Sequence, residues 1–522
     1  MMKRTALILA ILLLGAFPSP GGVLRVDAPS GRVPRYGRAD FRIVLEGRWD
    51  NPWFQEEAAL DMLATSPSGA VLRIPCFYVS GESGGESVWE ARFTPQEKGR
   101  YTYSFIYSEN GEAEQPACEG QLKVTRPRGR HGILHTNDNW TLRYDDGTLF
   151  RGVGENLCWE SRTEDDSRFF KELHEQHERF NYPVMLASLA RNGGNFTRMW
   201  MCSWNFPIDR PDAFNNHRYS PSTRWINQSA AERLDETLSL AEKLGIRIML
   251  CMGPGDVTPD RAFFGDGPAR ARWKNYLRYI VARWGYSPSV AMWEFFNEVD
   301  NIQFADAENP IPAEEIVAWH RDMAAYLKEL DPYGHIVTTS ISHRDLEGLN
   351  DVPGIDINQK HIYCATSSIP ETIVRYEGLH GKPYIIGEFG YEWDWSKNFD
   401  NFADGMKADF SRGLWYGLFS PTPVTPMSWW WEWFDREGMG RCFRKVRKVS
   451  DAMLRAGKGS FVPVEAEAPG AEAYAVRCGR KTWLYVYNPS GEAVGNVLVK
   501  TVPERNIKIR VAPGEEALLV IK

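Results

Sequence analysis

Between residues 23 and 126 apolar and polar positions alternate with a period of two. The clearest stretches are Phe41–Leu45, Ala70–Ile74, Val88–Phe93, Tyr101–Tyr107 and Gln121–Val124, separated at short spacing by turn residues. Successive side chains on a strand point to opposite faces, so this pattern predicts an antiparallel β-sandwich over residues 23–126. The stretch from Arg126 to His131 is basic and carries Pro127 and Gly129. It marks a boundary.

From about residue 132 the pattern becomes strand, then helix, repeated. A hairpin over Leu134–Tyr144 turns at Asp145-Asp146-Gly147 into Leu149–Asn156, the first strand of the series. Asn195–Met201, Ile246–Cys251, Ser289–Phe296 and Ile336–Ile341 follow as the second to fifth. Ile357–Tyr363, Tyr384–Phe389 and Thr425–Trp431 complete the set. Helix signals fall between them. Asn181 caps a helix that Gly193-Gly194 stops, and Ser229 with Glu232 forms a capping box ahead of Leu234, Leu238, Ala241 and Leu244. Pro268 and Pro312 open further helices, and a last one covers roughly Arg441–Ala456. Eight strand–helix repeats predict an α/β fold, a (β/α)8 TIM barrel over residues 132–458. An open doubly wound sheet would normally carry a Gly-rich phosphate loop after an early strand, and none is present. Period two returns at residues 459–522, with strands expected at Ala473–Cys478, Trp483–Asn488, Val497–Thr501, Ile507–Val511 and Ala517–Ile521. A small C-terminal β-sandwich packed on the barrel is the expectation.

The first residues differ from all of this. Lys3-Arg4 precede the apolar run Ala6–Phe17, and small and turn residues follow to Gly22. The run is short for a membrane span and fits a secretory signal peptide over residues 1–22, which predicts a secreted or periplasmic protein with no membrane attachment after cleavage. At 522 residues the chain exceeds one ordinary core, and its net charge of −7 gives no argument for nucleic acid as a partner. Eight cysteines are too few for a disulfide scaffold in a chain of this length, although Cys76 and Cys118 share the first domain and can pair after export. His174 and His177 have helical spacing without further ligands nearby and read as an exposed polar helix face, so no metal site is expected. Twenty Trp and twenty-one Tyr suit either aromatic cores or a sugar-binding surface.

Barrel strands deliver catalytic groups at their C-terminal ends. The apolar run Val290–Phe296 ends in Asn297-Glu298, and the run from Tyr384 carries Glu388. Two carboxyl groups facing one site can split a glycosidic bond: one protonates the leaving oxygen, and the other attacks the anomeric carbon or activates water. A lone strand-end Glu is more often half of a structural ion pair. Glu294 shares a strand face with Glu298 if that strand is regular, and is the rival for the acid role or a structural acid of the barrel interior.

These segments together resemble glycoside hydrolase clan A, which includes cellulases, mannanases and β-galactosidases. Phe296-Asn297-Glu298 resembles the clan's fourth-strand acid/base motif, and Gly387-Glu388-Phe389-Gly390 its seventh-strand nucleophile motif. Phe196-Thr197-Arg198 resembles the second-strand Arg, His361-Ile362-Tyr363 the sixth-strand His and Tyr, and Trp429-Trp430-Trp431 the eighth-strand Trp. The segment VWEARFTPQEKGRYTYSF resembles the β-sandwich module that precedes the barrel in a group of bacterial glycoside hydrolases. The resemblance implies a retaining hydrolase of β-glycosidic bonds in a polysaccharide or oligosaccharide, with no cofactor. Arg198 would lower the pKa of Glu388, Tyr363 would hold that carboxylate, and Asn297 would bind the sugar hydroxyl beside the anomeric carbon. A Trp at the eighth strand would face the sugar ring; alternation puts Trp429 and Trp431 on one side and Trp430 on the other, and the clan's spacing favours Trp429 or Trp430. Asn156 at the first strand end and Trp204 after the second are further candidates for substrate contact. His361 is either a satisfied core histidine or part of the site. The loop Tyr391–Trp395 is either a subsite wall or a solvated loop. The alternative function is a non-catalytic carbohydrate-binding protein on the same scaffold.

Overall fold

A computed structural model of the protein describes residues 21–521, apart from 114–115, 164, 166, 211–217, 221, 223–224, 254–258, 266 and 502. The apolar leader expected at residues 1–22 falls almost wholly outside the described residues. Among these residues no helix is long and apolar enough to cross a membrane.

The N-terminal period-two stretches pair into two sheets. One contains Gly22–Asp27, Ala39–Glu46, Phe77–Gly81 and Glu86–Phe93. The other is built on Ala58–Thr65, Gly99–Glu109 and Ala117–Thr125, and it contains one parallel pairing, between Ala117–Thr125 and Arg32–Pro34. Alternation decides which side is buried: Phe41, Ile43 and Leu45 of the first sheet share a core with Leu60, Met62 and Phe105 of the second. Cys76 and Cys118 both lie in or against this core but are not bonded to each other. Their thiols sit instead against the backbone carbonyls of Ile74 and Val23, so the pairing that the sequence leaves open is not formed.

In the middle region Gly154–Asn156, Phe196–Trp200, Arg247–Gly253, Val290–Phe296 and Ile336–Thr338 form one parallel sheet in that order. Ser340–Ile341, Asn358–Tyr363 and Tyr384–Gly390 continue the parallel order. The expected fifth strand is therefore interrupted at Thr339: its first part pairs with the fourth strand and its second with the sixth. The expected eighth strand is also corrected. Residues 424–428 bridge singly to Gly152, Glu155 and Phe389 rather than forming a continuous ladder, and Trp431–Arg436 is helical. Those bridges link the seventh strand back to the first, which gives a TIM-barrel-like α/β layer. The expected first strand divides too: Leu149–Phe150 belongs to the preceding hairpin. That hairpin plugs the N-terminal end of the barrel, where Leu134, Leu142 and Phe150 pack with Met292, Ile336 and Ile385.

Of the helix ends anticipated by Asn181, Gly245 and Ser229, two follow the expected rule and one does not. Asn181 accepts from Val184 N as expected, and Gly245 closes its helix in the left-handed region at φ 73°. The exception is the capping box: Asn227, not Ser229, accepts the Ala230 amide, and the helix begins at Gln228. Either residue type caps well; burial of Asn227 selects it.

The N-terminal sheets are tied to the barrel by charge. Asp235, on the helix Gln228–Leu244, accepts two hydrogen bonds from Arg92 (2.6 and 2.9 Å), one from Arg283 Nη2 (2.8 Å) and one from Trp284 Nε1 (2.7 Å). Burial opposes its ionisation, but Arg92 and Arg283 outweigh burial and pull the carboxyl down from 3.8 to about 2. A carboxyl lowered on folding contributes stability above its unfolded value and loses it as pH falls through the folded one. The shift corresponds to about 2 kcal/mol at neutral pH. Asp235→Asn should therefore be less stable than wild type by that order at pH 7, with the gap closing between pH 4 and 2. A gap in denaturant melts that does not change with pH would rule this account out.

At the C-terminal end, Glu472–Cys478, Lys481–Tyr487 and Glu516–Ile521 form one antiparallel sheet with Val462–Val464, and Val494–Val499 with Arg505–Val511 belong to a second. Leu484, Val486, Val497 and Val511 make their shared core. Trp415, on the barrel helix Ala403–Leu418, stacks on Tyr485 at 5.6 Å and donates to Glu516.

Candidate active site

Two local departures from regular strand geometry build the site. Asn297 and Glu298 are consecutive, so an extended strand would turn them to opposite faces. Glu298 instead adopts the left-handed region at φ 49°, its amide donating to Ser340 Oγ at 2.9 Å, and both side chains line one cavity. On the seventh strand the register slips: Lys360 pairs with Ile386 and His361 with Glu388, which leaves Gly387 as an extra residue. Such a bulge re-aims the next side chain. Gly387 is required there, since a Cβ would lie 1.8 Å from Gln359 Oε1.

The cavity has a volume of about 720 Å³ and opens at the C-terminal rim of the strands. Glu298, His361 and Glu388 meet in it, each offering one atom within 4.8 Å of the other two. Arg198, fully buried beneath them, donates from Nη1 to Glu388 Oε1 (2.6 Å) and from Nε and Nη2 to Glu294 (2.6 and 2.8 Å). Its Nη2 also donates to Asn297 Oδ1 at 2.8 Å. A guanidinium only donates, so this contact fixes the Asn297 amide and leaves Nδ2 free to donate. The Tyr363 hydroxyl donates to Glu388 Oε2 at 2.6 Å. Asn301 donates to Glu298 Oε2 at 2.8 Å, and His361 Nδ1 lies 2.8 Å from Glu298 Oε1 and 3.5 Å from Glu388 Oε2.

Electrostatics distinguish the members. Burial works against charge on Arg198, but Glu294 and Glu388 outweigh it and hold the guanidinium well above its ordinary range. For Glu388 burial is the largest influence and pushes the carboxyl up, while His361, Arg198 and the Tyr363 hydrogen bond pull it back and Glu298 adds to the rise. Arg198 pulls Glu388 down as expected, but desolvation exceeds that pull and the carboxyl is raised on balance. Glu294 is fully buried between Arg198 and Gln359 and does not line the cavity, which makes it a structural acid.

Glu298, Glu388, Asn297, His361, Tyr363 and Trp429 are brought together around the cavity. Four other candidates stand elsewhere. Arg198 lies under the floor and touches the carboxylates rather than open space. Asn156 is fully buried; its Nδ2 donates to the carbonyls of Gly387, Met427 and Ser428, so it braces strands instead of meeting a ligand. Trp430 turns away because it too is left-handed (φ 55°); its Nε1 donates to Glu392 O and its ring stacks on Phe170. Trp204 belongs to a neighbouring chamber. The loop Tyr391–Trp395 contributes Trp393 and Trp395 to the cavity wall.

Sequence reasoning missed Trp200, Asn301, Ser342 and His343, which also line the cavity. Trp200 was accessible to it: two positions past Arg198 on a strand is the same face. Ser342 and His343 were not, because their placement depends on Asp300. That buried carboxylate accepts the amides of Ser342, His343 and Arg344 and the Ser342 hydroxyl. His174 also departs from expectation: it is buried, with Nδ1 2.7 Å from Asp165 and Nε2 3.4 Å from Glu432. Among the described residues, Glu298, His361 and Glu388 are also the group with metal-ligand spacing.

Residues 32–108 match the family described as a domain of unknown function, DUF5060. The chain is 27% identical over 290 residues to the Neosartorya fischeri protein named "Probable mannan endo-1,4-beta-mannosidase F", a match covering 46% of this chain and 61% of that one. It is 25% identical over 296 residues to mannan endo-1,4-beta-mannosidase F of Aspergillus fumigatus, covering 46% and 64%. The chain thus spans less than two thirds of the length of these curated relatives. Its fold is shared with a Bacteroides vulgatus protein whose crystal structure is described as that of a candidate glycoside hydrolase: TM-score 0.62, 14% identity, covering 94% of this chain and 99% of that one. In sequence over less than half of its length the chain resembles mannan endo-1,4-beta-mannosidases, and in fold over nearly its whole length it resembles that candidate glycoside hydrolase.

Proposed function

We propose that the protein is a retaining glycoside hydrolase that cleaves β-glycosidic bonds of a polysaccharide or oligosaccharide on a closed (β/α)8 barrel. The observation that carries this reading is the pair of carboxyl groups from the fourth and seventh strands, with oxygens within 4.8 Å of each other in one cavity. Retaining enzymes hold their carboxyl groups about 5–5.5 Å apart, and inverting ones about 6.5–9.5 Å, to admit a water. Glu388, oriented by Arg198 and Tyr363, attacks the anomeric carbon. As the C–O bond to the leaving group breaks, Glu298 delivers its proton to that oxygen. Glu298 then takes a proton from water, whose oxygen displaces Glu388 from the sugar. Asn297 Nδ2 faces the cavity and suits the hydroxyl beside the anomeric carbon, a contact that strengthens in the transition state. Trp429 offers an apolar face for the ring.

The names of the curated relatives make β-1,4-mannan the first substrate to test, and export, expected from the apolar leader, fits a polymer that cannot enter a cell. Proton NMR of the first product formed from a β-glycan should show the β anomer; an α product would sink the double displacement. Glu298→Gln should slow the polymer about 10²–10⁴-fold, the usual worth of a general acid–base. An aryl glycoside whose leaving group needs no proton should lose far less in kcat/KM. Equal losses on both would remove Glu298 from the acid role. The alternative, a non-catalytic sugar-binding protein, predicts glycan binding without turnover in the same assays.

A further inference from the structure

The helix Arg441–Gly457 carries six Lys or Arg against one Asp, in a chain whose net charge is −7. Phe443, Val446, Ser450 and Met453 turn into the protein. Arg441, Arg444, Lys445, Lys448 and Arg455 are exposed on the opposite side. With about 3.6 residues per turn they fall within an arc of about 100°, and from Arg441 to Arg455 the stripe is about 21 Å long. It does not end with the helix. Gly479 sits so close that a Cβ there would lie 2.4 Å from the Ala456 carbonyl oxygen. That contact sets the exposed Arg480 and Lys481 of the C-terminal sheet at the end of the helix, where Lys458 is also exposed. We propose that this stripe is a docking surface for an acidic polysaccharide, a chain bearing carboxylate or sulfate groups, held outside the catalytic cavity. The choice of a glycan among polyanions rests on the hydrolase reading; the stripe itself does not.

Local physics opposes this arrangement. A helix N-terminus is the positive end of the macrodipole and favours acids, yet the helix opens on Arg441 and its first turn holds no acid. Arg441 with Lys445, and Arg444 with Lys448, are like-charge pairs four residues apart, which destabilise a helix. Among the described residues none of the five stripe cations forms an ion pair. The helix's one ion pair joins Arg447 to Asp451 at 2.9 Å, on the flank of the stripe. Two acids share a small cavity with Arg441. Burial pushes Glu155 well above the ordinary carboxylate range, and Asp435 is held by Arg179 at 2.6 Å. Residues that break local rules without an internal compensation mark a function, and an external polyanion supplies the compensation missing here. The partner's class follows from what the stripe lacks and from its spacing. A membrane-surface helix turns Trp, Phe or Leu toward the lipid beside its cations. No large apolar side chain of this helix is exposed, so nothing on it would enter a bilayer. Arg441, Lys445 and Lys448 follow at one-turn intervals of about 5.4 Å. That is close to the length of one pyranose in an extended chain, so successive units of an acidic glycan each meet a cation.

Affinity of the full-length protein for polygalacturonate, measured across a range of salt, tests the surface. The triple substitution Arg441→Gln, Lys445→Gln and Lys448→Gln should weaken binding at least tenfold. It should also flatten the slope of log affinity against log salt by about two, because each lost contact releases roughly 0.7–0.9 of a counterion fewer. Arg455→Gln, Arg480→Gln and Lys481→Gln together should do the same, since the row crosses onto the C-terminal sheet. Lys98→Gln, Arg100→Gln and Lys123→Gln remove equal charge from exposed positions of the N-terminal sheets and should change affinity less than twofold. The first variant should melt no lower than wild type, because repulsion is relieved, and should hydrolyse a short neutral β-oligosaccharide at the wild-type rate. An equal loss in the N-terminal variant would reduce the effect to net charge and overturn the surface, as would failure of the wild type to bind polygalacturonate. Tighter, stripe-dependent binding of duplex DNA or of phosphatidylserine vesicles at the same salt would overturn the glycan as partner. Stripe-dependent binding of polygalacturonate by a protein that hydrolyses no β-glycan would keep the surface and remove the hydrolase; hydrolysis without that binding would do the opposite.

Discussion

Glu388→Ala should lower kcat/KM on a natural β-glycan by on the order of 10⁴-fold or more, because the covalent route disappears and no neighbouring group can replace it. Tyr363 lies nearest, but burial keeps its phenol protonated, and His361 is held against Glu298. Glu294 is locked by Arg198 below the floor. The fold should survive. Arg198 presently serves two carboxylates; after the substitution it keeps Glu294 and Asn297, so no buried charge is orphaned. Azide supplied with an activated aryl β-glycoside should restore turnover and yield the inverted glycosyl azide, since the small anion occupies the space the carboxylate leaves. An active Glu388→Ala protein would refute the assignment, and an inactive one that azide does not rescue would weaken it. The pH profile carries the same information. Burial pushes Glu388 above its ordinary 4.5, and the nucleophile must be ionised, so the acid limb of kcat/KM should rise through a value above 4.5. That limb belongs to the Glu298–Glu388 pair rather than to one residue.

Why these residues could be found in the chain, and others not, comes down to periodicity. Strand alternation marks the buried faces of the N-terminal sheets, and the order of strand-end motifs predicts the grouping of Asn297, Glu298, His361, Tyr363 and Glu388, all of which line one cavity. The same rule failed wherever the backbone left the extended region. Glu298 and Trp430 are both left-handed. Side chains in that conformation cost on the order of 1–2 kcal/mol, and no composition signal announces it. So Glu294 and Glu298 do not share an environment, although a regular strand would give them one, and the Trp429–Trp431 run ends in a helix rather than alternating. Asn156 was misjudged for another reason. A strand-end amide can face substrate or satisfy strand carbonyls, and the three acceptors it meets come from the seventh strand and the segment after it, more than 200 residues away. Asp300 and the loop it organises pose the same difficulty. Several of the tryptophans near Trp200 are legible one by one, at strand ends and in the loop after the seventh strand, but their convergence on one chamber is a tertiary fact.

Arg198 should prove the most costly residue of the site to remove, and a double substitution can tell why. It ties the second strand to the fourth through Glu294 and to the seventh through Glu388, all three side chains being nearly or wholly inaccessible. Replacing one partner of a buried pair leaves an uncompensated charge and costs about 3–5 kcal/mol. Arg198→Met should therefore lower stability by that order, and with Glu388 relieved of its cation the acid limb of any residual activity should move to higher pH. Arg198→Lys keeps the charge but cannot reproduce the bonds to Glu294, Glu388 and Asn297 at once, so it should recover part of the stability and little of the rate. The informative variant is Arg198→Met combined with Glu294→Gln. Neutralising the deepest acid removes the orphan, so thermal stability should return by at least half of what Arg198→Met lost, a coupling that a double-mutant cycle reads directly. Activity should not return, because Glu388 still lacks its cation and Asn297 loses the contact that fixes its amide. If the double variant regained both stability and rate, Arg198 would be no more than a counter-ion for Glu294. If it regained neither, the strand-to-strand tie through Glu388 would dominate, and the floor of the site would be held from the seventh strand rather than the fourth.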